Sequence, residues 1–205
     1  MFRLYAVADE AVCDMPDFPS RLSALGELGG KHLGVYVRDD RPESARRALS
    51  ALKPFGTPVF VRRAAFATGE LTGAAGVHLT STDLAEAGIV RRVRKTDSTL
   101  LVGASIHDVA QTVRAKDAVC ALGLFGHVFD TSSKPGIPGR GVGALASACQ
   151  AADTMPVFAI GGITPFHVEA CLEAGAFGVA AVRGLFGVPD PRPMLEAYLE
   201  ALGTS

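Results

Sequence analysis

The feature that most constrains this 205-residue chain is a repeat in which eight short apolar runs alternate with longer, helix-like stretches. The runs read as strands over Leu4–Ala8, Leu33–Val37, Pro58–Val61, Gly76–Leu79, Leu100–Ala104, Val119–Phe125, Pro156–Ile160 and Gly178–Val182. Several are rich in Val and Ile, as strands of a buried parallel sheet are. Pro42–Leu52 carries apolar residues on one face and Arg46-Arg47 on the other, the pattern of a surface helix. Val109–Ala115 reads likewise. A third helix opens at Thr164-Pro165, an N-cap followed by proline, and stops at Gly175. The last runs from about Pro191 to Leu202. Such a βα repeat fits a closed barrel or an open doubly wound sheet. Eight strands favour closure. So does the first βα turn, Val7-Ala8-Asp9-Glu10-Ala11, which lacks the Gly-x-Gly-x-x-Gly of dinucleotide-binding sheets. The expectation is an α/β protein, a single-domain (β/α)8 TIM barrel over residues 1–205, near the lower size limit of that fold.

Composition narrows the function. Hydrophobic residues make up 48% and charged residues 20%, enough for a core without disulfides or metal. Net charge is −1, there is no Trp, and aromatics are 7%, so neither a phosphate backbone nor stacked bases find a surface; no nucleic acid partner is expected. No apolar run spans a membrane and the N-terminus does not read as a signal peptide, so the expected location is cytoplasmic. Cys13, Cys120, Cys149 and Cys171 lack metal-ligand spacing and read as small buried hydrophobes. A homo-oligomer is compatible with the sequence.

In a barrel the active site lies at the C-terminal ends of the strands. The strongest signal there is Ala159-Ile160-Gly161-Gly162-Ile163-Thr164-Pro165, where a strand ends in paired glycines and a helix begins. Gly161 and Gly162 can bring backbone amides to an anion, or serve only as a tight turn. The next strand ends in Val182-Arg183, and loops after strands 7 and 8 often hold phosphate in barrels. His127, at the end of strand 6, could exchange a proton near neutral pH or be a structural histidine. Lys134 and Arg140 follow on Ser132–Gly143, a Pro- and Gly-rich stretch expected to be a mobile loop over the mouth. Weaker candidates are Arg38, which could instead pair with Asp39 or Asp40; Ser105 and His107, which could line the pocket or cap a helix; and Asp83, which could be a helix N-terminal residue. No metal site is expected. Arg62 and Arg63, after strand 3, could bind an anion or face water. His32 and His167 read as surface residues on helices or their ends.

Together these segments resemble the thiamine phosphate synthase superfamily, whose fold is the (β/α)8 barrel. The matching pieces are Gly76-Val77-His78-Leu79, Val102–His107, Phe129–Gly136, Ala159–Ile163 and Gly178–Arg183. Synthases carry Gln-x-Arg-x-Lys after strand 2 for pyrophosphate; here Tyr36-Val37-Arg38-Asp39-Asp40 keeps only the arginine. They carry Asn-Asp after strand 3 for pyrimidine and magnesium; here the chain reads Val61-Arg62-Arg63, and Asp83 alone is a poor magnesium site. The run Gly126-His127-Val128-Phe129-Asp130-Thr131, then Lys134 and Gly139-Arg140-Gly141-Val142, is similar to the TenI family of thiazole tautomerases. That resemblance implies acid/base isomerisation of a phosphorylated thiazole carboxylate in thiamin biosynthesis, with no cofactor. His127 would be catalytic. Arg38, Ser105, Lys134, Gly161, Gly162, Val182 and Arg183 would bind the substrate or its phosphate. The alternatives are a thiamine phosphate synthase, joining a pyrimidine pyrophosphate to a thiazole phosphate, and a non-catalytic phosphate-ligand-binding regulatory protein.

Overall fold

The computed structural model describes residues 1–68 and 72–204. Its strands are β1 (Leu4–Asp9), β2 (Leu33–Arg38), β3 (Val59–Arg62), β4 (Gly76–Leu79), β5 (Leu101–Ile106), β6 (Leu122–Gly126), β7 (Val157–Ile160) and β8 (Gly178–Ala181). They are parallel, pair in sequence order, and close through β1 and β8. The expected barrel is therefore present.

Alternation along each strand divides the apolar side chains between two cores. On β1, Leu4, Ala6 and Ala8 face the surrounding helices, while Tyr5 and Val7 face the barrel interior. On β2, Val35 and Val37 pack outward and Tyr36 inward. This explains the continuous apolar runs, since both faces are covered. The interior is filled below the mouth by rings: Phe2 lies 5.1 Å from Tyr5 and 5.2 Å from Phe158, and Tyr5 lies 5.6 Å from Phe60. The same inward parity continues to the top layer, giving Asp9 after Val7, Arg38 after Tyr36 and Arg62 after Phe60.

The helix Pro42–Leu52 forms as read: proline opens it, Glu43 sits in its first turn, and Ala45, Ala48 and Leu52 are buried along one face. Asp108 caps Val109–Asp117 by accepting from the Gln111 N–H. Several boundaries differ from expectation. β6 begins at Leu122 because Val119, with φ 62°, lies in the turn that closes the preceding helix. β5 continues to Ile106, so Ser105 lies within the strand instead of after it. Thr164-Pro165 opens a 3-10 turn, Pro165–His167, before the helix Val168–Glu173. The irregular stretch after β6 ends at Arg140, where Gly141 starts the helix Gly141–Ala152.

The helix Phe18–Gly29 went unread because of its interior Gly26. A Cβ at Gly26 would meet Phe55 at 2.7 Å, so the glycine lets this helix pack closely. Cys13, Cys120 and Cys171 are buried and Cys149 is half-buried; burial raises the thiol of Cys120, Cys149 and Cys171 to about 11. No helix among the described residues is long and apolar enough to cross a membrane.

Candidate functional site

At the C-terminal ends of the strands lies a cavity of about 340 Å3. The eight residues that the resemblance gave a catalytic or binding role line it, namely Arg38, Ser105, His127, Lys134, Gly161, Gly162, Val182 and Arg183, as does His107, whereas the other candidates Arg140, Asp83, Arg62 and Arg63 are not among its lining residues. The eight come from β2, β5, the segments after β6 and β7, and the end of β8. Tyr36, Leu124 and Ile160 supply apolar wall. Tyr36 was not read as a site residue, although its i, i+2 relation to Arg38 on a strand was a usable signal. Asp130 and the hydroxyls of Thr131, Ser132 and Ser133 also line the cavity and were missed.

His127 is 5% exposed, and its position is held by backbone around it. The Val128 N–H donates to Ile160 O at 2.9 Å and the Phe129 N–H to Gly161 O at 3.0 Å, fastening the segment after β6 to β7. The Arg140 N–H returns to His127 O at 2.9 Å, closing the intervening loop. His127 Nε2 lies 3.1 Å from the carbonyl of Ile137. A carbonyl only accepts, so Nε2 carries the proton and Nδ1 is the bare acceptor. That Nδ1 is buried without a hydrogen-bond partner among the described residues.

Gly161 and Gly162 have φ of 101° and 66°, so both occupy backbone conformations that disfavour side chains. A Cβ on Gly161 would lie 2.3 Å from the Cβ of His127, and one on Gly162 would lie 2.5 Å from Asp130 O. The paired glycines therefore let the turn after β7 close on the segment carrying His127. Beyond β8, Val182 caps the short helix Arg183–Phe186, whose first amides have no partner within the helix.

The floor of the cavity is polar at one point. His78 Nε2 lies 3.1 Å from Ser105 Oγ, and the His78 ring stacks on Tyr36 at 4.2 Å. A Cβ on Gly103 would lie 2.8 Å from His78 Nδ1, so that glycine makes room for the ring. Burial, reinforced by Arg62 and Arg38, pushes the His78 pKa down to about 3. His78 is therefore a neutral imidazole at ordinary pH. His107 Nδ1 donates to Gly126 O at 2.7 Å; burial lowers its pKa, and the charges of Lys134 and Arg140 lower it further.

On the β1–β4 side the cations are engaged. Arg38 reaches Asp9 at 3.3 Å, not Asp39 or Asp40. Asp39 instead holds Arg41 at 2.6 Å and Ser44 Oγ at 2.6 Å. Arg62 bonds Asp40 at 3.0 Å, and Arg63 bonds Asp83 at 2.7 Å and Glu86 at 3.0 Å, which accounts for both arginines. Asp83 also accepts from the Thr80 N–H and hydroxyl in a capping box. His167 accepts from the Thr164 N–H at 3.2 Å and stacks on Phe129 at 4.2 Å, so it closes a turn. Among the described residues no group of three His, Cys, Asp or Glu side chains could hold a metal ion.

A family model described as "Thiamine monophosphate synthase" matches residues 4–185. A thiamine-phosphate synthase of Nitrosococcus oceani is 31% identical over 95% of this chain and 90% of the relative. One of Thioalkalivibrio sulfidiphilus is 35% identical over 92% of this chain and 89% of the relative. Among solved structures, thiamine phosphate pyrophosphorylase from Pyrococcus furiosus superposes with a TM-score of 0.75 at 20% identity, covering 98% of this chain and 96% of that one. The last likeness establishes the fold alone. The curated names overturn the tautomerase expectation drawn from Gly126–Thr131, since these near-full-length relatives carry the synthase name. The physical reason is visible in the site. The motif's glycine, histidine and loop fasten β6 to β7 and close the loop to Arg140, a structural task not specific to isomerisation.

Proposed function

Since this chain belongs to the thiamine monophosphate synthase family, we propose that it is a transferase joining a phosphorylated thiazole to a pyrimidine pyrophosphate, with pyrophosphate as leaving group. The observation that carries this reading is one cavity bearing cations well apart on its rim. Arg38 ends β2 and Lys134 follows β6, four strands round a closed barrel, and both line the same space. Two substrates with anionic tails can thus lie with their rings together and their charges apart. Holding them so converts a bimolecular encounter into an oriented one.

The roles follow from position. The turn at Gly161-Gly162 and the helix start at Val182-Arg183 take the phosphate of the thiazole, by amides and the Arg183 charge. Tyr36, Leu124, Ile160 and Val182 give flat rings an apolar wall. Ser105, fixed by neutral His78, offers a hydroxyl from below. His127 lines the wall and its segment holds the end of β6 against the turn that takes the phosphate. Arg38 meets the pyrophosphate, whose departure places negative charge beside it, while Lys134, across the mouth, joins Arg183 at the thiazole phosphate.

The test incubates purified protein with both substrates and follows the condensation product and released pyrophosphate together. Product in step with pyrophosphate is expected from the wild type. Arg183→Ala should lower kcat/KM by roughly ten- to a hundredfold, the size of a lost charge-assisted hydrogen bond. Substrate binding without product would overturn the transferase reading and leave a phosphate-ligand-binding regulatory protein.

A further inference from the structure

We propose that this chain holds the pyrophosphate end of its substrate without a divalent metal ion, the guanidinium of Arg63 standing where a cation would need to sit. The inference rests on the transferase reading above. A magnesium ion in such a site would lean on carboxylate oxygens close to the leaving group. Asp83 is the carboxylate that the synthase resemblance would assign to the metal, and both its oxygens accept hydrogen bonds. Oδ2 accepts from the Thr80 N–H at 2.9 Å and the Thr80 hydroxyl at 2.8 Å, and Oδ1 accepts from Arg63 Nε at 2.7 Å. Its neighbours are committed as well. Glu86 holds Arg63 and Arg92, Asp40 holds Arg62, and Asp9 holds Arg38. A divalent ion bound to Asp83 would stand within a few ångströms of a guanidinium held by two carboxylates, Asp83 and Glu86, and would have to displace it from both. The residues of this rim do not fit the metal.

They do fit the anion. The pairing Val37↔Val61 puts Arg38 and Arg62 at the same level on adjacent strands, with the inward parity of Tyr36 and Phe60. The charges of both arginines act on buried His78 and Tyr36, so both stand near those two rings. Their present partners, Asp9 and Asp40, each hold one arginine in a partly exposed pair, of the kind that contributes little stability. A pyrophosphate gives each guanidinium the bidentate oxygen geometry it prefers. In this arrangement two arginines perform the charge neutralisation otherwise supplied by the cation, while Arg63 keeps Asp83 and Glu86 from repelling the anion.

The test titrates the whole chain with inorganic pyrophosphate by calorimetry, in magnesium and in EDTA, and runs the condensation assay in both buffers. Binding in EDTA at least as tight as in magnesium, and turnover undiminished by EDTA, are expected. Arg62→Gln should weaken pyrophosphate binding about tenfold or more, and Arg62→Lys, which keeps charge but loses the fork, should recover only part. Binding or turnover that requires magnesium would overturn this inference and leave the transferase reading intact. Absence of product in both buffers would overturn the transferase reading instead. The calorimetry still decides the metal question in that case: metal-free binding supports the inference, and no pyrophosphate binding in either buffer defeats it.

Discussion

A β-carbon at position 161 would sit 2.3 Å from that of His127, at a backbone φ of 101°. Gly161→Ala should therefore cost more than the roughly 1–3 kcal/mol of backbone strain alone, because the His127 segment must also move. Gly136→Ala is the matched comparison: its φ is 76°, yet nothing lies within 4 Å of the added carbon. Urea denaturation of both variants separates strain from collision, and equal losses would show that the close approach is unimportant. His78 makes a second residue-scale prediction. An unfolded chain protonates this histidine near pH 6.5, whereas the folded chain withholds the proton until about 3. The unfolded state binds more protons across that window, so stability falls as pH drops from about 6.5 toward 3. His78→Gln should flatten the slope by about one proton, read from denaturation midpoints at stepped pH. Asp39 acts lower on the scale. Burial tends to raise its pKa, but hydrogen bonds from Arg41 and Ser44 outweigh this and leave it at about 2. Its contribution is complete above the ordinary carboxylate range and disappears as pH falls through 2. Asp39→Asn should accordingly cost about 1.5–3 kcal/mol at pH 7, a penalty that vanishes in strong acid.

Strands were the most legible elements and short helices the least. An interior strand of a barrel is apolar on both faces, so its run announces itself, and all eight were found within a few residues of their places. What misled at β6 was Val119, a β-branched residue that serves a left-handed turn and is 62% exposed. Four-residue helices such as Ser81–Leu84 and Arg183–Phe186 are too short to show a 3.6-residue period. They form because the barrel supplies an anchor at each strand end, not from propensity. The site was legible where it rides on strand ends, because βα topology alone sends Arg38, His127 and Arg183 to one mouth. It was illegible where side chains pair across strands. Neither the Arg63–Asp83 bond nor the His78–Ser105 contact has a local signature, since 20 and 27 residues separate the partners. The elements after β6 and β7 were each noticed singly, but their mutual bonding through Val128, Phe129 and Gly161 is a tertiary fact.

Over the whole molecule, the eight parallel strands give the barrel two unlike ends. One carries every polar residue assigned a role here. The other is stoppered by the rings of Phe2, Tyr5, Phe60 and Phe158. Because those rings close that end, reactants and products share one doorway among the described residues, the mouth at the strands' C-terminal ends. Traffic then becomes a matter of queueing: whatever enters first and seats deepest leaves last, and no departing group has a back exit. For a two-substrate transferase this forbids a shuttle in which one product escapes through the base while the next substrate arrives above. Steady-state rates should give intersecting double-reciprocal lines, the mark of a complex holding both substrates at once. Each product should slow the enzyme simply by standing in that doorway.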